Sequence, residues 1–161
     1  MVLKNHMRPL ISAVLCYLLH VTVASAQIIP GFADYSVTVI PPNKPAQVQL
    51  ADAQSRRYAS RLREAGHSKP NFAGHYVLAS WGCGASCQMT AAIDAKTGSV
   101  IWLPFTVCCW DINIQQPLEF KTNSRLLVVH GARNERGNGT YFYEFDGKRF
   151  KLLAERTKPA T

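Results

Sequence analysis

The sequence predicts an α+β domain, mostly an antiparallel β meander, with one N-terminal amphipathic helix and disulfide staples. Three observations point there. After Pro70, short runs rich in aromatic and β-branched residues alternate with turns bearing Gly, Asn and Asp, the pattern of strands joined locally. Helical periodicity occurs in a single stretch, Asp52 to Gly66. Cys83, Cys87, Cys108 and Cys109 form an even set in a chain that opens with an export signal, and oxidising compartments favour disulfides.

The export signal has three parts. Lys4 and Arg8 make a positive start, and no acidic residue precedes Asp34. Leu10 to Leu19 is almost wholly apolar, long enough for a signal segment but short of the roughly 20 residues of a membrane span. Ala24-Ser25-Ala26 then offers the small-x-small cleavage pattern. Residues 1–26 are therefore expected to be a signal peptide, with Gln27 the first mature residue and no transmembrane span after cleavage. The run is too short for an uncleaved anchor. Cys16 is a poor lipidation site, because Leu15 precedes it and it lies inside the apolar run.

Removing 26 of 161 residues leaves 135, the size of one domain with its own core. The signal carries two of the 18 basic residues and none of the 10 acidic ones, so the net charge of +8 falls to +6. A periplasmic or secreted location argues against nucleic acid as partner. An unknown protein or an anionic envelope component fits better, and a basic surface also serves solubility alone.

Residues 27–49 carry Pro30, Pro41, Pro42 and Pro45, which exclude a helix; Tyr35 to Val39 alternates apolar and polar and predicts one short strand. Residues 50–161 are expected to form a single globular domain. Its helix has Asp52 as N-cap, Tyr58, Leu62 and Ala65 on one face, and Gly66 as its stop. Arg56, Arg57, Arg61 and Arg63 occupy the other faces, either as a solvated surface or as a docking stripe.

Strands are expected at Phe72 to Trp81, Cys87 to Ile93, Ser99 to Leu103, Leu118 to Lys121, Leu126 to Val129, Tyr141 to Phe145 and Phe150 to Leu153. Asp94 to Gly98 reads as a turn, and residues 105–116 as irregular. Asn138-Gly139 and Asp146-Gly147 are two-residue hairpin signals.

The four cysteines allow three pairings. A hairpin around Gly84-Ala85-Ser86 would bring Cys83 opposite Cys87, leaving Cys108 and Cys109 to bond as neighbours across a strained peptide. Neighbours in an extended strand point to opposite faces. Cross-links between the two regions, with a bend at 108–109, are the favoured expectation, and their connectivity stays open.

Ala92-Ile93-Asp94-Ala95-Lys96-Thr97-Gly98-Ser99-Val100-Ile101-Trp102 resembles the blade motif of quinoprotein-type β-propellers, a family in which adjacent cysteines also occur. The motif appears once, and a propeller needs several blades. The resemblance implies blade-like hairpins, not the cofactor or the activity. Pro70-Asn71-Phe72-Ala73-Gly74-His75-Tyr76, with Trp81-Gly82-Cys83-Gly84, Cys87, Asp94 and Thr97-Gly98, resembles a group of small exported bacterial proteins over residues 50–104. That likeness implies no mechanism.

Among chemical readings, Cys83 to Gln88 has one residue too many for a cysteine-protease nucleophile segment, and no Gly-x-Ser-x-Gly elbow or phosphate loop occurs. A zinc site from the cysteines with His67, His75 or His130 suffers from the adjacency of Cys108 and Cys109. A redox pair would ordinarily be Cys-x-x-Cys, and the spacing here is one longer. His75 could serve as a base oriented by Asp94 or Asp111, although a strand histidine is more often half-buried and satisfied. Tyr141, Phe142, Tyr143 and Phe145 read first as core and second as an aromatic binding platform. No metal and no cofactor are expected. The favoured function is a non-catalytic exported binding protein, inhibitor-like or recognising an envelope component. Its surface would comprise Cys83, Gly84, Cys87, Cys108, Cys109 and Trp110, with His75 nearby. The alternative is a small periplasmic enzyme using His75 with a carboxylate, or a thiol-redox protein.

Overall fold

A computed structural model describes residues 28–157; the expected signal peptide, 1–26, lies outside the described residues. Eight strands form one sheet with every pair antiparallel. They are β1 (Tyr76–Gly84), β2 (Cys87–Asp94), β3 (Val100–Trp102), β4 (Val107–Cys108), β5 (Leu118–Phe120), β6 (Leu126–Arg133), β7 (Arg136–Phe145) and β8 (Phe150–Thr157). The path β1-β2-β4-β6-β7-β8 follows chain order, with β3 paired to β2 and β5 to β6.

β3 and β4 are two pieces of one broken strand. Both pair with β2, Ala91 opposite Trp102 and Cys87 opposite Cys108, in registers two residues apart. Pro104 lies in the gap, where a residue without an N–H cannot continue a ladder. Past the break β4 also reaches β6, through Val107 to Arg133 and Cys108 to Ala132.

Successive strand residues face opposite ways, and on β1 and β2 both faces are buried. Leu78 and Ala92 join the larger core with Phe72, Val107, Leu127, Val129, Tyr141, Tyr143 and Phe145. Val77, Ala91 and Ile93 face the other way and pack against Leu62, which is fully buried. Burying such a leucine contributes about 2 kcal/mol, enough to seat the helical segment. A third cluster joins Leu126, Val128 and Phe142 to Phe32 and Tyr35. Tyr141, Phe142, Tyr143 and Phe145 are all buried, so these four rings are core, as their first reading had it, and not a binding platform.

The helical segment is two short pieces, α1 (Ala53–Arg57) and α2 (Ala59–Gly66), parted at Tyr58. Asp52 caps α1, accepting from the Ser55 amide at 2.8 Å and the Ser55 hydroxyl at 2.6 Å. Tyr58 sits 5.6 Å from the Trp81 ring and 5.9 Å from Trp102. No described helix is long and apolar enough to cross a membrane.

Three local expectations are corrected. Tyr35 to Val39 is not a strand: Phe32–Tyr35 is a 3-10 turn, and Ser36 makes a single bridge to Ser124. Asn138-Gly139 is not the hairpin turn. β6 and β7 turn at Asn134 and Glu135, both with positive φ, and Gly139 lies inside β7, where a Cβ would collide with the Arg156 carbonyl of β8. The glycine serves strand approach, not turning. Asp146-Gly147 does join β7 to β8, but through four residues, Phe145 pairing Phe150, with the Asp146 carboxylate accepting from the Lys148 and Arg149 amides.

Candidate functional site

The cysteine-bearing end of the sheet begins as a hairpin. β1 and β2 turn through Ala85 and Ser86, all of Gly82 to Ser86 being exposed. The register shifts between Gly82 and Gly84, leaving Cys83 in a bulge. Cys83 and Cys87 are joined by a disulfide, with their Cα atoms 5.2 Å apart. Cys108 and Cys109 are free thiols, the first buried and the second exposed. The expectation that all four cysteines form disulfides is thus corrected. Tight hairpin closure gives Cys87 its partner only four positions back along the chain, and Cys109 turns outward with φ +58°.

Cys87 and Cys108 are nevertheless direct cross-strand partners, so their side chains share one face of the sheet. Burial pushes the Cys108 thiol up to about 11, helped by its hydrogen bond with the Cys109 thiol. Beyond it, Asn138 donates an amide N–H to the Cys109 carbonyl at 3.3 Å, and Trp110 packs on the larger core. The loop then tightens: the Asp111 carboxylate accepts from the Asn113 backbone and side-chain amides, each at 3.0 Å, and the Ile114 N–H donates to the Asp111 carbonyl at 2.9 Å. At the apex stands Ile112, 96 % exposed.

His75 belongs elsewhere. It immediately precedes β1, whose other end carries Cys83; eight strand residues span roughly 26 Å. The expectation that His75 neighbours the cysteine surface is therefore corrected. Its Nε2 lies 3.5 Å from Asp94 Oδ1, and its ring lies tilted against Tyr76 with centroids 4.5 Å apart. Burial lowers its pKa, more than Asp94 raises it, so the imidazole is neutral at pH 7. Asp94 is already engaged, accepting from the Lys96 amide at 2.8 Å and the Thr97 hydroxyl at 2.9 Å, which holds the turn from Asp94 to Gly98. His75 borders a cavity of about 310 Å³ with Lys96, Arg125 and Asp146. Asp111 does not reach His75; it lines a separate depression of about 200 Å³.

His130 and Thr140, which also line that second depression, belong to a cluster the sequence concealed. His130 Nε2 lies 2.6 Å from Glu119 Oε1, and its Nδ1 lies 3.1 Å from the Thr140 hydroxyl. The three residues come from β6, β5 and β7, and only strand register brings them together. Among the described residues no group of three or more His, Cys, Asp or Glu side chains is gathered to hold a metal ion.

The chain matches no family model, no curated protein and no solved structure. Its function has to be read from these sites alone. Of the residues singled out in the sequence, Cys83, Gly84, Cys87, Cys108, Cys109 and Trp110 do gather at one end, through the hairpin and β4. Sequence reasoning missed Ile112, whose only signal was that it is one of two isoleucines, with Ile114, in the otherwise polar stretch Asp111 to Gln116.

Proposed function

We propose that the protein is an exported binding module that engages a partner protein through the loop following Cys109, with Ile112 as its anchor. The observation that carries this reading is a fully exposed isoleucine on a loop whose backbone is held by Asp111. An apolar side chain held out to water by a pre-ordered loop loses little conformational freedom on binding, and anchors of this kind dominate small interfaces. The Cys83–Cys87 bond and the seat of Trp110 on the core stiffen the neighbouring backbone. The sequence supports export through Lys4, Arg8, the apolar run and Ala24-Ser25-Ala26, and the basic balance favours a partner with an acidic rim.

The test is retention of envelope proteins on immobilised protein, followed by a dissociation constant for the retained species. Burying one isoleucine contributes about 2 kcal/mol, so Ile112→Asp is expected to weaken binding by more than tenfold, about 1.4 kcal/mol. Equal binding by wild type and variant would end this reading.

A second reading, a small exported enzyme with His75 as base, draws on the neutral imidazole beside Asp94 and the adjoining cavity. It is weaker because Asp94 is committed to its turn and the 3.5 Å contact is long for an orienting hydrogen bond.

A further inference from the structure

Three observations about the cysteines go beyond the binding reading, which uses only the Cys83–Cys87 bond. Cys87 has one bonded partner and one cross-strand partner of the same residue type. One is Cys83, with a Cα separation of 5.2 Å; the other is Cys108, its cross-strand partner. Directly opposed antiparallel residues have Cα atoms roughly 4.5–5.5 Å apart, inside the roughly 4.4–6.8 Å that disulfides span. Their side chains also share a face. Next, Cys87 and Cys108 are ladder residues, whereas Cys83 occupies a bulge beside Gly84 on an exposed tip. Releasing Cys83 therefore removes no strand pairing, and bonding Cys87 to Cys108 ties two strands that are already paired. Finally, Cys108 is a free thiol, as that exchange requires.

We propose that Cys83, Cys87 and Cys108 form a thiol–disulfide exchange site, in which Cys87 passes from Cys83 to Cys108 and frees Cys83 as an exposed thiol that takes a disulfide-bearing partner. In the first step the Cys108 thiolate attacks Cys87 Sγ. The Cys87–Cys108 bond forms, the Cys83–Cys87 bond breaks, and Cys83 leaves as a thiolate, taking from solvent a proton equal to the one Cys108 gave up. One disulfide and one thiol exist before and after, so no oxidant is consumed. In the second step the Cys83 thiolate attacks a disulfide of the partner, forming a mixed disulfide and expelling the partner's other sulfur as a thiolate. The buried Cys108 thiol makes the first step slow at neutral pH, and the resting form is the Cys83–Cys87 disulfide. Cys109, hydrogen-bonded to Cys108, is the competing thiol.

The two states are separable by tryptic mapping without reductant. Cleavage after Arg63, Lys96 and Lys121 places Cys83 and Cys87 on one peptide and Cys108 and Cys109 on another, since Lys69 precedes proline. The intact chain is equilibrated with oxidised glutathione at mildly alkaline pH, quenched in acid and mapped. The expected result is a cross-linked pair of these peptides, with glutathione on Cys83. Cys108→Ser should lose both products, and Cys109→Ser should retain both. A Cys83→Ser variant, which leaves the buried thiol in place, should join Cys87 to Cys108 on oxidation. The proposal is overturned if wild type shows only the intrapeptide disulfide, if the cross-link runs through Cys109, or if Cys83→Ser joins Cys108 to Cys109 instead. The Ile112→Asp binding test is independent of each of these results.

Discussion

The two ends of β1 are built in opposite ways. At the His75 end the backbone is buried and pinned by polar groups. Asn71 bonds both the N–H and the carbonyl of Leu78, at 2.7 and 3.2 Å. The Ala73 and Gly74 amides donate to Ser124 and Thr122, and Asp94 closes its turn with its own side chain. At the Cys83 end Gly82 to Ser86 stand in solvent, held by the last pairs of the hairpin, Gly82 with Gln88 and Gly84 with Cys87, and by one covalent bond. A buried backbone has to satisfy every donor and acceptor, which leaves little freedom for a ligand. An exposed tip stapled by sulfur stays open. The stretch Asn71 to Tyr76, the most distinctive in the sequence, is thereby accounted for by architecture, and the plainer Cys109 to Ile112 stretch is the better place to look for function.

Paired glycine substitutions give the largest contrast. Gly98 has φ +81° and a Cβ there would collide with the Gln47 carbonyl; Gly98→Ala should cost about 3 kcal/mol or more, combining left-handed strain with a backbone clash. Gly84 has φ +146° but open space around its Cβ position, so Gly84→Ala should cost only about 1–2 kcal/mol. Urea unfolding of the two variants measures both, and equal losses would dissolve the distinction between the ends.

Reducing the Cys83–Cys87 bond comes next. It opens a very short loop, whose closure is worth about 2 kcal/mol. The unfolding free energy should fall by that amount while the far-ultraviolet dichroism stays unchanged, because Cys83 sits in a bulge and its release removes no ladder pair. Loss of strand signal on reduction would show that the covalent bond organises the sheet.

The smallest effect is a pH dependence at the other end. Burial holds the folded pKa of His75 below its ordinary 6.5, so in this region the unfolded chain binds more protons than the folded one. The stability contributed by neutral His75 is therefore complete above pH 6.5 and is lost as pH falls toward the folded value. His75→Gln should flatten this part of the stability–pH curve. A His75 titration by NMR at or above 6.5 would contradict the assignment.

Much of this architecture was legible locally. Asp52 as a cap, the turn from Asp94 to Gly98 and the hairpin around Ala85 are written in side-chain chemistry a few residues wide, and each appears where expected. Gly139 misled because glycine has two uses. It permits turning, and it permits close approach of another strand, and nothing adjacent to it distinguishes them. Asn134-Glu135 turned instead, without a glycine.

The sequence by itself determined the antiparallel strands, the capped helical start and the cysteine hairpin, because periodicity, turn residues and caps act over one or two turns of chain. Only the tertiary structure decided which cysteine faces Cys87, that His130 meets Glu119 and Thr140, that His75 stands far from Cys83, and that Ile112 is left in water. Those depend on register between strands distant in sequence, where shifting a ladder by one residue exchanges every side chain between faces.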